Sequence, residues 1–108
     1  MSTVKPPILI KVAAHRGLAE AQLYLSRAFR SGELGDTVNV EKALMWLERA
    51  ALDGKMAEAQ YELGLVYLKG VDRPKNLEKA RELTELAAAQ GHKDAQKQAM
   101  ILLNTFVI

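Results

Sequence analysis

One signal, Ala-Ala-x-x-Gly, occurs three times in this chain: AAHRG at Ala13–Gly17, AALDG at Ala50–Gly54 and AAAQG at Ala87–Gly91. The glycines stand at positions 17, 54 and 91, so the spacing is 37 residues both times. Each signal is followed at once by an Ala-Gln element: AEAQ at Ala19–Gln22, AEAQ at Ala57–Gln60 and DAQ at Asp94–Gln96. A fixed period of this length restricts the chain to an array of stacked units, none of which can bury its apolar face alone.

Both unit types have helical periodicity. Val40, Ala43, Trp46 or Leu47, and Ala50 recur at three- and four-residue steps, as do Leu77, Ala80, Leu83 or Thr84, and Ala87. Asn39 and Asn76 stand at N-cap positions, with Glu41 and Glu78 in the first turn, where a carboxylate meets the positive end of the helix dipole. Gly54 and Gly91 are expected as left-handed residues closing these helices. The shorter units, 19–31 and 57–69, place Ala21 and Ser26, and Ala59 and Gly64, where a neighbouring backbone must come close. Gly64 costs a helix interior about 1 kcal/mol relative to alanine, so it is there for space. The linkers SGELGDTVN and GVDRPKN are rich in turn formers. The reading is all-α: a leading partial helix from about Pro7 to Arg16, two helix pairs, and a last helix over about 93–106.

These residues resemble the Sel-one-like repeat family, helical solenoids related to the tetratricopeptide repeats. The family pattern runs roughly A-x-A-x-x-x-L-G-x-x-Y, a Gly-containing loop, then K-A-x-x-W-x-x-x-A-A-x-x-G. The second copy carries it through Ala57, Ala59, Leu63, Gly64, Tyr67, Gly70, Val71, Lys79, Ala80, Ala87, Ala88 and Gly91. The first carries it through Ala19, Ala21, Leu25, Gly32, Lys42, Ala43, Trp46, Ala50, Ala51 and Gly54, with Ser26 for the usual Gly and Phe29 for the usual Tyr. Leu83 replaces the tryptophan in the second copy. A period of 37 exceeds the ~34 of tetratricopeptide repeats. The resemblance implies a short right-handed α-solenoid forming one domain over residues 1–108. Its repeats cover about 19–54 and 57–91, and residues 93–106 form a capping helix.

Chemistry is constrained mainly by exclusion. There is no cysteine, hence no disulfide framework, thiolate nucleophile or sulfur-bound metal. His15 and His92 sit at helix–turn boundaries without a second ligand at metal spacing, and are expected to be exposed turn residues. Neither a catalytic residue, a metal site nor a cofactor is expected. No apolar run approaches the ~20 residues that cross a bilayer, and MSTVKPPILIKVAA is a poor match to a secretory signal, so a cytoplasmic protein is expected. Fifteen basic against thirteen acidic residues leave a net +2, unevenly placed: Lys5, Lys11, Arg16, Arg27 and Arg30 face Glu20 alone in the first 31 residues. That basic third makes a nucleic-acid-binding module the alternative reading, although no phosphate-binding stripe is formed.

The resemblance implies a concave face lined by the short helices, and hence a small adaptor that holds a protein or peptide there. Once Ala57, Ala59, Leu63, Gly64 and Tyr67 are given to packing, Tyr61, Leu65 and Leu68 remain at i, i+4, i+7 on the other face of their helix. The matching positions are Leu23, Arg27 and Arg30 in the first repeat and Lys97, Ile101 and Asn104 in the last helix. An apolar floor flanked by cations suits an acidic or amphipathic segment; burial of the row by the neighbouring repeat is the competing expectation. Met100, Ile101, Leu103 and Phe106 make a homodimer through the apolar C-terminus a further expectation.

Overall fold

The computed structural model describes residues 8–33 and 38–107, with side chains described to residue 104. The expected helix start at Pro7 and the side chain of Phe106 lie outside the described residues. Among the described residues six α-helices follow one another: α1 (Ile8–His15), α2 (Ala19–Ser31), α3 (Val40–Glu48), α4 (Ala57–Lys69), α5 (Leu77–Ala89) and α6 (Lys93–Val107). The chain divides into two compact units between Lys55 and Met56, one residue beyond the repeat glycine Gly54.

In the first unit α2 packs against α1 on one side and α3 on the other. Small residues let the backbones close in: Ala14, Ala21, Leu25 and Trp46 form the buried centre, with Ile10, Ala13, Tyr24 and Phe29 packed around it. The buried Gln22 Nε2 donates to the Ala14 carbonyl at 3.0 Å. Ser26, also buried, donates its hydroxyl to the Ala43 carbonyl at 2.8 Å. An α2 side chain thus satisfies a backbone group of each neighbouring helix, a geometry that a merely apolar residue would not fix.

The second unit repeats the plan with α4 against α5 and α5 against α6. Ala59, Leu63, Ala80, Leu83, Ala87, Ala95 and Leu102 are buried in it. Asn39 and Asn76 cap α3 and α5 identically, each side-chain Oδ1 accepting from the N–H three residues on at 3.0 Å. Their own N–H groups donate to Phe29 O and Tyr67 O at 2.9 Å, so the return from the linker is tied to the last turns of α2 in one unit and of α4 in the other.

The two repeat glycines differ, and Gly54 corrects an expectation. Gly91 has φ +92° and is left-handed, but Gly54 has φ −80° and stays right-handed. Beyond α3 the helix widens into a π-helical turn, Arg49–Asp53, and Gly54 N–H reaches back to Arg49 O at 2.9 Å. The positive φ falls instead on Lys55, at 51°. Glycine is needed at 54 for space: a Cβ there would lie 2.6 Å from the Ala19 Cβ and 2.9 Å from Ala50 O, whereas nothing lies within 4 Å of a Cβ at 91. One repeat position therefore answers two different steric demands, close approach at 54 and backbone conformation at 91.

Candidate functional site

Packing of α4 on α5 uses Ala59, Leu63 and Gly64, all buried. That leaves Tyr61, Leu65 and Leu68 half-buried along the helix. The Tyr61 ring lies against the His92 ring, centroids 4.7 Å apart and planes inclined by 31°. His92 is itself fixed at both nitrogens. Its Nδ1 accepts from the Ala95 N–H at 3.1 Å, so in the neutral ring Nε2 carries the hydrogen and donates to Glu58 Oε1 at 2.8 Å.

Only 14% of the His92 side chain is exposed. The expectation of an exposed turn histidine fails here because His92 immediately precedes α6 and caps it. Its place directly before the Lys-Asp-Ala-Gln start of that helix was the signal available in the sequence. Gln90 Nε2 adds a bond to the buried Gln60 Oε1 at 2.9 Å, a second tie between the α5–α6 turn and α4. Tyr61 thus presents its ring from a braced position. On α6, Lys97 is exposed and Ile101 is 59% exposed.

The first unit presents a different set. Leu23, the counterpart of Tyr61, is buried at 4% exposure and has no side-chain surface to offer a partner, which removes it from the expected contact residues. Leucine is short enough to be covered where tyrosine projects. Arg27 and Arg30, one and two turns on, are exposed, and Arg30 stands in the last turn of α2 where the helix dipole favours a cation.

The remaining repeat positions are packing residues. Trp46 is 3% exposed, with the His15 ring edge-on at 4.9 Å and the Arg49 guanidinium 5.0 Å from its ring centre. Tyr67 carries the Lys79 ammonium at 5.1 Å, and Phe29 carries Lys42 at 5.4 Å, which gives the repeated Glu-Lys-Ala lysine the same seat in both units. Tyr24 donates to Glu33 Oε2 at 2.9 Å, and that bond to a carboxylate pushes the phenol pKa up. Among the described residues no group of three His, Cys, Asp or Glu could hold a metal, and no helix is long and apolar enough to cross a membrane. The geometry leaves a braced aromatic and apolar row half-buried along α4 in one unit, and cations on the exposed face of α2 in the other.

Paired helices of this pattern, twice repeated in register, define an α-helical repeat protein of the solenoid class. The Sel1 repeat matches residues 19–55 and 57–92, and the chain belongs to that family. Over 85% of its length it superposes on a crystal structure of a Sel1 repeat protein from Oxalobacter formigenes, with a TM-score of 0.80 and 33% identity, covering 68% of that chain. It is 35% identical over 94 residues, 85% of its length, to chitin synthase regulatory factor 2 of Schizosaccharomyces pombe. It is 33% identical over 96 residues, 89% of its length, to DAP3-binding cell death enhancer 1 of Mus musculus. The chain spans 18% of the length of each of these two relatives.

Proposed function

We propose that this chain is a non-catalytic protein-interaction module of the cytoplasm that holds a segment of another protein against the open faces of its short helices. In the second unit the contact residues are Tyr61, Leu65 and Leu68 on α4 and Lys97 and Ile101 on α6; in the first they are Arg27 and Arg30 on α2. The observation that carries this reading is Tyr61, half-exposed yet braced by His92, which in turn is held by Glu58 and Ala95. An aromatic ring presented rigidly is the usual anchor of a protein contact, because little side-chain entropy is lost on binding. The mouse relative's name describes a protein that binds DAP3, in keeping with a binding role.

Tyr61→Ala is expected to weaken binding of a partner identified by affinity capture by about 2 kcal/mol or more, with helicity retained. Arg27→Glu is expected to slow association and to change its salt dependence. Surface plasmon resonance on both variants checks this, and parental kinetics in both would overturn the placement. An affinity for RNA that falls steeply with salt would favour the nucleic-acid alternative instead.

Self-association is a second reading, favoured by Met100, Ile101 and Leu103 on α6, which are 70%, 59% and 55% exposed while Leu102 between them is buried. Light scattering of the chain and of Met100→Glu is expected to show a concentration-dependent dimer that the substitution weakens. A constant monomer in both would remove the reading.

A further inference from the structure

Between α1 and α3, over α2, lies a cavity of about 250 Å³ lined by Lys11, His15, Leu25, Phe29, Lys42, Met45 and Trp46. It lies within the first unit and shares no residue with the contact faces described above. Its floor is apolar: Leu25 and Trp46 are buried, Phe29 is half-buried and Met45 is 36% exposed. Among the described lining residues every ionisable group is basic, and Lys11, His15 and Lys42 are all exposed at the rim.

The repeat register shows that this chemistry is not required by the fold. One period of 37 residues on from Lys11, His15, Met45 and Trp46 stand Glu48, Leu52, Glu82 and Leu83. Of the three basic groups only Lys42 recurs, as Lys79, and both of those lysines lie over an aromatic ring. The full basic rim is therefore peculiar to the first unit.

We infer that this cavity receives an acidic segment of a partner protein, one apolar side chain entering against Phe29 and Met45 while adjacent carboxylates meet Lys11 and Lys42. This rests on the reading of the chain as a protein-interaction module and gives it a second contact site of defined chemistry. Charge complementarity selects the occupant: a basic segment would bring like charges onto the rim, while a base of a nucleic acid would find Trp46 already 3% exposed and unable to stack. The two lysines gain little singly, as exposed pairs do, so the apolar side chain must supply most of the affinity and the cations the selectivity.

The chain's one tryptophan lies at the floor of the cavity and reports on it directly. A labelled peptide of alternating glutamate and leucine is titrated into the full chain, beside a lysine–leucine twin and a single-stranded oligouridylate. The glutamate peptide is expected to bind saturably, to shift Trp46 emission and to weaken as salt rises. Lys11→Glu combined with Lys42→Glu is expected to weaken it roughly tenfold or more at unchanged helicity. Should that variant lose helicity, Lys42→Gln alone is expected to weaken binding and flatten its salt dependence. Equal binding of the two peptides, undiminished binding by the charge-reversed variant, or preference for oligouridylate would each overturn the inference. Capture of the native partner separates this from the broader reading: a partner held equally by parent and charge-reversed variant removes the cavity as its site and leaves the interaction module standing. A parent chain that captures no protein removes the module reading and this inference with it, whether or not the glutamate peptide binds.

Discussion

Replacing Trp46 with alanine lowers the stability of the first unit by about 3–5 kcal/mol, the range for removing a buried tryptophan. The side chain is 3% exposed and lies among Ala14, Ala21 and Leu25. Two of those three neighbours are alanines, which have no length with which to collapse into the vacated space, so the cavity term is felt nearly in full. The substitution also removes the ring that meets His15 edge-on and carries Arg49. A fall of more than about 10 °C in Tm is expected for a domain of this size. Circular dichroism is the suitable readout because the only tryptophan is gone. Trp46→Leu, which installs the residue found at the matching position 83, is expected to cost about half as much, since a leucine restores part of the apolar volume. A Trp46→Ala chain that melts within a degree or two of the parent would mean that the α1–α2–α3 core does not depend on this ring.

How far such features could be read beforehand varies with how local their cause is. The helix starts were legible because an Asn cap acts within its own first turn: Asn39 and Asn76 bond to the N–H three residues on, as their positions before Val-Glu-Lys-Ala and Leu-Glu-Lys-Ala imply. The alternation of two kinds of helix was legible for a similar reason, since the 37-residue period carries the register without any knowledge of contacts, although α2 and α4, read as the shorter units, have 13 residues each and are no shorter than α3 or α5. Gly54 was not, because what distinguishes it from Gly91 is the start of α2, brought within 2.6 Å of the place a Cβ would occupy. Nothing in Ala-Ala-x-x-Gly encodes that approach. For His92 only the local half was legible, its cap on the Ala95 N–H, because its other partner, Glu58, is 34 residues away. Leu23 was assigned to a surface by register alone, yet the register says which face a residue takes and not whether that face is covered. The cavity beside Trp46 was hardly foreshadowed, since of its basic rim only Lys11 belongs to the excess of the first 31 residues, and Lys42 comes to it from α3.

Introducing leucine at Gly64 tests the other core, with an expected loss of about 3 kcal/mol. A Cβ at this position would already lie 3.0 Å from Thr84 Oγ1, 3.4 Å from Ala80 O and 3.5 Å from Leu83 Cβ. Thr84 and Leu83 are buried on α5, so neither can swing out into solvent, and the Ala80 carbonyl belongs to the helix backbone. Three further carbons can be fitted only by parting α4 from α5. Alanine at the same site is a different case: its crowding is offset by the ~1 kcal/mol that glycine costs a helix interior, so Gly64→Ala is expected to melt close to the parent. The first repeat shows how a slightly larger residue is accommodated, since Ser26 at the matching position donates its hydroxyl to Ala43 O, the counterpart of Ala80 O. Ser26→Gly is accordingly expected to cost about 1.5 kcal/mol, the net value of a hydrogen bond together with the helix penalty of glycine relative to serine. Thermal melts of the three variants should rank Gly64→Leu far below Ser26→Gly and Ser26→Gly below Gly64→Ala. A Gly64→Leu chain that melts with the parent would show that α4 and α5 do not cross at this residue, and the pairing on which the repeat rests would have to be redrawn.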